Sequence, residues 1–390
     1  MLGDGRALLL GELISNDQRY DIQLKGSGTT KYSRRGDGKS TLSSMLREYL
    51  MSEAMYYLGI KTTRSLAVVK TGDPVYREKA HQGAILTRIA QSHIRVGTFE
   101  YARYYTNELE KFTKYVIKRH DPELLNTENY ALEFLKSVVS RQIDLVVDWM
   151  RVGFIHGVMN TDNMSIAGET IDYGPCAFMN VYHPKTVFSS IDHHGRYAFG
   201  NQPFITHWNL AILANALLPL ISDNEKIAID LVEQVLDRFP NQYQSKFYEM
   251  MLNKLGIKEK QESDRKLVDD ILELLENHRV DYTNFFISLK QEKFDEKLNN
   301  DVAFNEWRKA WMIASMRESS MEERNQLMDQ FNPYFIPRNH LVEQALDEGI
   351  KGNISVFNNL LNKIKRPYLQ QEAQTIPVDF DLEYQTFCGT

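Results

Sequence analysis

Asn163 and Asp172 supply an amide and a carboxylate oxygen. These are hard donors of the kind Mg²⁺ or Mn²⁺ takes when a polyphosphate fills the remaining positions. Asp162, beside Asn163, is the nearest carboxylate able to accept a hydroxyl proton. Lys25 ends a segment that alternates polar and apolar residues and opens the loop Lys25-Gly26-Ser27-Gly28-Thr29-Thr30, which continues to Arg34-Arg35-Gly36-Asp37-Gly38-Lys39. Glycines let backbone N–H groups approach phosphate oxygens, and Lys and Arg neutralise them. The spacing is not that of a Walker A loop. Arg88 and Arg95 add guanidinium groups, which match phosphate geometry and keep their charge when partly buried.

The order of these groups is informative. A strand lysine followed by a helix glutamate, here Lys25 and Glu48, is the layout of the kinase ion pair that holds a phosphate-binding lysine. His156 and Asn163 keep the seven-residue interval of the kinase catalytic loop, and Asp172-Tyr173-Gly174 stands where Asp-Phe-Gly would. The kinase base is absent, because the position two after the histidine is Val158. Each feature also has a bland reading: a solvated basic loop, two unrelated surface charges, a packed histidine beside a polar turn. The downstream Asp-Tyr-Gly favours a nucleotide site.

Elements must hold these residues in place. Ala7 to Leu13 and Tyr20 to Leu24 read as strands joined by Ser15-Asn16-Asp17-Gln18, with Tyr20, Ile22 and Leu24 on one face and Asp21, Gln23 and Lys25 on the other. Leu42, Met45, Leu46, Tyr49, Leu50 and Ala54 recur at helical spacing, predicting a helix from about Ser40 to Leu58 with Glu48 off its apolar stripe. Strand-like runs follow at Ser65 to Lys70 and Gly83 to Ile89. Beyond Ser92 helical patterns dominate, with Asp121-Pro122-Glu123 as a helix start and long helices at Ala131 to Arg151, Trp208 to Leu218, Lys226 to Arg238 and Leu267 to His278. The expected fold is α+β and protein-kinase-like: a strand-rich N-lobe over residues 1–97 and a helical C-lobe over 98–390.

The 390 residues suffice for two lobes, and 43% hydrophobic with 25% charged residues is ordinary globular composition. A formal charge of -6 and a pI near 6.0 give no global attraction to nucleic acid or anionic membranes. Cys176 and Cys388 are the only cysteines, which suggests neither a disulfide framework nor a thiolate zinc site and fits a cytoplasmic protein. The longest apolar run, Leu210 to Ile221, contains Asn215 and Pro219 and is too short to cross a bilayer.

Ordered blocks along nearly the whole chain resemble the selenoprotein O family. They include Gly3-Asp4-Gly5-Arg6, Gln23-Leu24-Lys25-Gly26-Ser27-Gly28, Ser33-Arg34-Arg35-Gly36-Asp37-Gly38, Arg47-Glu48-Tyr49-Leu50, Ser92-His93-Ile94-Arg95-Val96-Gly97, His156 to Met164 and Asp172-Tyr173-Gly174-Pro175. The resemblance implies a pseudokinase fold that holds ATP in a flipped orientation and transfers AMP to Ser, Thr or Tyr hydroxyls of proteins. It implies nucleotide contacts at Gly3, Gly5, Arg6, Lys25, Asp37, Gly38, Arg88 and Arg95, and Glu48 as the partner of Lys25. Asp162 is then the proton acceptor, and Asn163 with Asp172 the ligands of Mg²⁺ or Mn²⁺. It further implies a segment upstream of Met1 and a redox position at Cys388, whereas Cys176 reads as a packed, unreactive thiol. A γ-phosphate kinase and a catalytically dead nucleotide-binding scaffold are the alternatives; Val158 argues against the first, and intact Lys25, Glu48, Asn163 and Asp172 against the second.

Overall fold

The computed structural model describes residues 5–33, 35–371, 374, 377 and 380–387. The first two segments form a hairpin of β1 (Ala7–Ser15) and β2 (Gln18–Lys25). Asn16 and Asp17 make its two-residue turn with φ of 50° and 59°, left-handed values that Asn and Asp tolerate and that suit the twist of the flanking strands. With β3 (Arg64–Tyr76) and β4 (Ala80–Ala90) they build an antiparallel sheet in the order β1-β2-β4-β3. Helix α1 (Leu42–Tyr57) packs against β3 and β4, and its cap, the Thr41 hydroxyl, accepts from the Ser44 N–H.

The alternation in β2 is present, yet the polar set is the buried one: Asp21, Gln23 and Lys25 are inside while Tyr20, Ile22 and Leu24 are half-buried. A polar strand face turns inward only where partners meet it. Here Asp21 receives Arg119, Gln23 receives Arg88, and Lys25 donates to Glu48. Glu48 is buried as well, because the sheet covers one side of α1 and two late helices, Asn339–Ile350 and Ile354–Ile364, cover another. Arg47 donates to Glu343 on the first of these at 3.0 Å, and the rings of Tyr49 and Phe357 join α1 to the second.

The helical part begins with α2 (Val96–Tyr105), α3 (Leu109–His120), α4 (Tyr130–Val152) and α5 (Gln202–Ile221). Asp121 caps no long helix. Its carboxylate is taken by Arg141 at 2.6 and 3.0 Å and by Ser137, so Pro122–Asn126 forms a short 3₁₀ turn and α4 starts instead at the Asn129 cap. The apolar run is also longer than its sequence bounds: Phe199–Ile221 is long and apolar enough to cross a membrane by length and composition. It packs against α4 and α2 with Ile205, Leu210, Leu213 and Leu217 buried. Its buried amides serve the neighbouring loop, Gln202 accepting from the His156 N–H and Asn209 donating to the Met159 carbonyl.

The crossing between the two parts is pinned on both sides. Val96 N–H donates to Met164 O and Ile166 N–H to Ile94 O, each at 3.0 Å, so the segment leading into α2 runs against the loop that carries Asn163. Gln91 donates its N–H to Glu169 at 3.0 Å and accepts from Arg119. Burial pushes the Glu169 carboxyl from its ordinary 4.5 up to about 8, against the pull of the Gln91 amide. The folded chain therefore keeps a proton that the unfolded chain has lost between those two values, and stability falls as pH rises through that window. Thermal scans should show Glu169→Gln melting near the wild-type temperature at pH about 5 and a few degrees above it at pH about 9; parallel pH profiles would contradict this assignment.

Candidate active site

Lys25 and Arg88 sit on the same face of neighbouring strands, since Gln23 pairs with Arg88 and Lys25 with Leu86. Glu48 reaches between them from α1, Oε1 taking Lys25 and Oε2 taking Arg88 at 2.8 Å. Asp172 closes the group from the helical part, its Oδ1 accepting from Lys25 and, at 3.3 Å, from Arg88. Removing such ions from water costs several kcal/mol apiece, so each needs its partners. Burial favours a neutral Asp172, but the charges of Lys25 and Arg88 outweigh it and hold the carboxyl far below the usual carboxylate range. Asp172 has φ of 71°, a left-handed conformation that costs a non-glycine residue about 1–3 kcal/mol and is kept where the surroundings demand it.

The loop before it is held by a histidine. His156 is buried, its Nε2 lies 2.9 Å from the Ile171 carbonyl and its Nδ1 3.4 Å from the Val158 N–H, a pair of contacts that requires the neutral ring with the proton on Nε2. Burial lowers its pKa and keeps it neutral. The ring packs on Trp149 and Phe154, so it acts as a strut between the loop and the residue preceding Asp172. Asn163 donates Nδ2 to the Val158 carbonyl at 3.0 Å, which orients the amide and leaves the carbonyl oxygen Oδ1 able to ligate a cation. Asp162 has a buried Oδ1 that accepts no hydrogen bond. A Cβ on Gly97 would lie 2.6 Å from that oxygen, so the first turn of α2 closes on the carboxylate and a side chain there would push it aside.

Arg6, Lys25, Arg88, Arg95, Asp162, Asn163 and Asp172 thus line one narrow cleft. Three other expected contacts lie elsewhere. Asp37 is bound to Arg77 at 2.8 and 3.0 Å, outside the cleft lining, and that arginine holds its carboxyl below the usual range. Gly38, with φ of 66°, sits where a Cβ would meet the Gly28 carbonyl at 1.9 Å, and so closes the glycine loop on itself. Gly5 accepts from the Ser33 hydroxyl, which ties Arg6 to the same loop. Gly3 and Cys388 fall outside the described residues. Cys176 is buried against the Tyr173 carbonyl, and burial pushes its thiol up to about 12, in keeping with an unreactive group.

Sequence reasoning gave Arg47 no role. It donates Nε to the Gly174 carbonyl at 3.2 Å and Nη2 to the Cys176 carbonyl at 2.6 Å, tying α1 to the segment after Asp172. Its place beside Glu48 was the one available signal. Gly97 stood only at the end of a block that carries the family resemblance and was given no role, since its contact is with a residue far along the chain.

The family described as "Protein adenylyltransferase SelO" matches residues 1–365. The chain belongs to that family. Curated relatives named "Protein nucleotidyltransferase YdiU" include one from Clostridium perfringens (strain SM101 / Type A), 51% identical over 399 residues, and one from Pelagibacter ubique (strain HTCC1062), 50% identical over 399 residues. A third, from Geobacillus kaustophilus (strain HTA426), is 50% identical over 400 residues. All of this SelO-family chain is covered in each match, against 81%, 83% and 83% of the three relatives.

If Gly97 exists to admit Asp162, then Gly97→Ala should lower turnover roughly 10²-fold by displacing the carboxylate. The melting temperature should change little. A steady-state assay giving wild-type turnover would remove Asp162 from its assigned place.

Proposed function

We propose that the chain transfers AMP from ATP to Ser, Thr or Tyr hydroxyls of proteins and releases pyrophosphate, with Mg²⁺ or Mn²⁺ bound beside the nucleotide. Membership of the SelO adenylyltransferase family carries the reading. The supporting geometry is the unpartnered Oδ1 of Asp162 in a cleft that also holds Lys25, Arg88 and Arg95. In this reading residues 1–97 are the nucleotide-binding lobe and 98–390 carry the proton acceptor and the metal ligands. The enzyme works in the cytoplasm, where ATP is supplied.

The donor set fits a hard divalent cation. Asn163 Oδ1 and the ionised Asp172 are oxygen donors lining the same cleft, and they would hold the ion together with nucleotide phosphates. Bound there, the ion would neutralise charge on the polyphosphate. To hold a cation Asp172 would have to release Lys25, which, still held by Glu48, would then face phosphate. Arg6, Arg88 and Arg95 line the same walls and would grip the β- and γ-phosphates, turning the α-phosphorus toward Asp162. The acceptor hydroxyl oxygen attacks the α-phosphorus in line. Its proton passes to Asp162, the new P–O bond joins AMP to the protein, and the bond to the β-phosphate oxygen breaks as pyrophosphate leaves.

Incubation with α- or γ-labelled ATP decides between this reading and a kinase. Protein-bound label is expected from α-labelled ATP alone, and both Asp162→Ala and Asp172→Ala should reduce it at least about 10²-fold. Label retained from γ-labelled ATP would overturn the reading in favour of phosphate transfer. A protein that binds ATP but transfers neither label is a scaffold.

A further inference from the structure

Residues 380–387 return to the segment that carries Asp172. Phe380–Glu383 makes one helical turn, and beyond it Thr386 is the only buried residue of the stretch, while Leu382 and Phe387 face solvent. A chain end that buries so little keeps its place only where specific bonds tie it down. Thr386 makes three. Its hydroxyl donates to the Pro175 carbonyl at 2.6 Å, its N–H donates to the Phe188 carbonyl at 2.7 Å, and its carbonyl accepts from the Ser190 N–H at 2.9 Å. One residue thus grips the segment following Asp172 at Pro175 and again at 188–190. Between those points Asp381 accepts from the Asn180 N–H at 3.1 Å and from its Nδ2 at 2.8 Å.

The Pro175 carbonyl is where two walls of the site meet. Pro175 is buried, and a Cβ on Gly157, whose φ is 85°, would lie 2.4 Å from its oxygen, so the loop that runs on to Asp162 and Asn163 passes against it. The carbonyls on either side, of Gly174 and Cys176, are held by Arg47. Arg47 is bound in turn to Glu343 Oε1, and that same oxygen accepts from the Tyr384 hydroxyl at 2.6 Å. Residues 380–387 therefore act on three successive carbonyls, on one through Thr386 and on its two neighbours through Tyr384, Glu343 and Arg47. The left-handed backbone of Asp172 lies just before them, and such a conformation persists only where its surroundings over-determine it.

We propose, building on the reading of Asn163 and Asp172 as metal ligands, that Thr386 is a positioning residue: its hydroxyl on Pro175 fixes the segment of Asp172 against the loop of Asn163, so that both can ligate one cation. Groups that orient metal ligands from outside typically carry about 10–100-fold in metal affinity. Without the hydroxyl the buried Pro175 oxygen loses this donor, and the segment is free to shift away from the loop.

Calorimetric titrations of ATP in Mg²⁺ and of ATP in EDTA give, as the ratio of their affinities, what the cation adds to binding. Thr386→Val keeps the shape and the backbone bonds and removes only the hydroxyl. The ratio is expected to fall about tenfold in this variant, with the affinity in EDTA as in the wild type, and to return in Thr386→Ser. An unchanged ratio in Thr386→Val would overturn the proposal. So would a serine variant as impaired as the valine one, or a loss of affinity equal in Mg²⁺ and in EDTA, which a merely structural role produces. Transfer of α-label by the wild-type protein is scored apart from this: its absence fails the AMP-transfer reading, and the ratio still decides the role of Thr386.

Discussion

The molecule is organised around four charges, the buried Lys25, Arg88 and Glu48 and the partly exposed Asp172, which are drawn from two strands, a helix and a distant loop. A buried ion pair adds little net stability over a hydrophobic one, but losing one member strands the others at a cost of about 3–5 kcal/mol. The group therefore dictates geometry more than it stabilises the fold. β2 must turn its polar face inward, α1 must lie with Glu48 toward the sheet, and the segment holding Asp172 must adopt a strained backbone to reach Lys25. Three of the four belong to the sheet and α1, and the fourth to the helical part, so the cluster also joins the two.

Much of the remaining architecture braces that group. Arg47 holds the carbonyls of Gly174 and Cys176, while the late helix 339–350 holds Arg47 through Glu343. His156 ties the loop it opens to Ile171, and Gln202 on α5 ties that loop's backbone in turn. The Tyr173 and Thr62 hydroxyls bond to each other and link the same segment to the chain leading into β3. Such locked positioning is what group transfer needs, because small displacements of reacting groups are expensive.

What was legible in the sequence was whatever rests on local pattern. The hairpin, the span of α1, the change from strands to helices and the interval from His156 to Asn163 all follow from periodicity or motif spacing, and the structure has them. The hidden features depend on partners remote in the chain. Alternation in β2 shows two faces but not that the charged one is inside, which Arg119, Arg88 and Glu48 decide. Asp121 has the composition of a helix cap, yet Arg141 and Ser137 claim its carboxylate. The apolar run ending at Ile221 carries the bonds of Gln202 and Asn209 because the loop from His156 lies against it. Asp37 belongs to Arg77, forty residues on, for the same reason.

The central claim is that the four-charge group is where ATP binds, with the Arg88 guanidinium gripping phosphate while it holds Glu48. Calorimetric titration of Mg²⁺–ATP into wild-type protein and Arg88→Lys measures this directly, since lysine keeps the charge and loses the planar fork. The account predicts at least about tenfold weaker binding in the variant, a loss of roughly 1.4 kcal/mol, together with a smaller ATP-induced rise in melting temperature. Equal affinity in the two proteins would place the nucleotide elsewhere and contradict it.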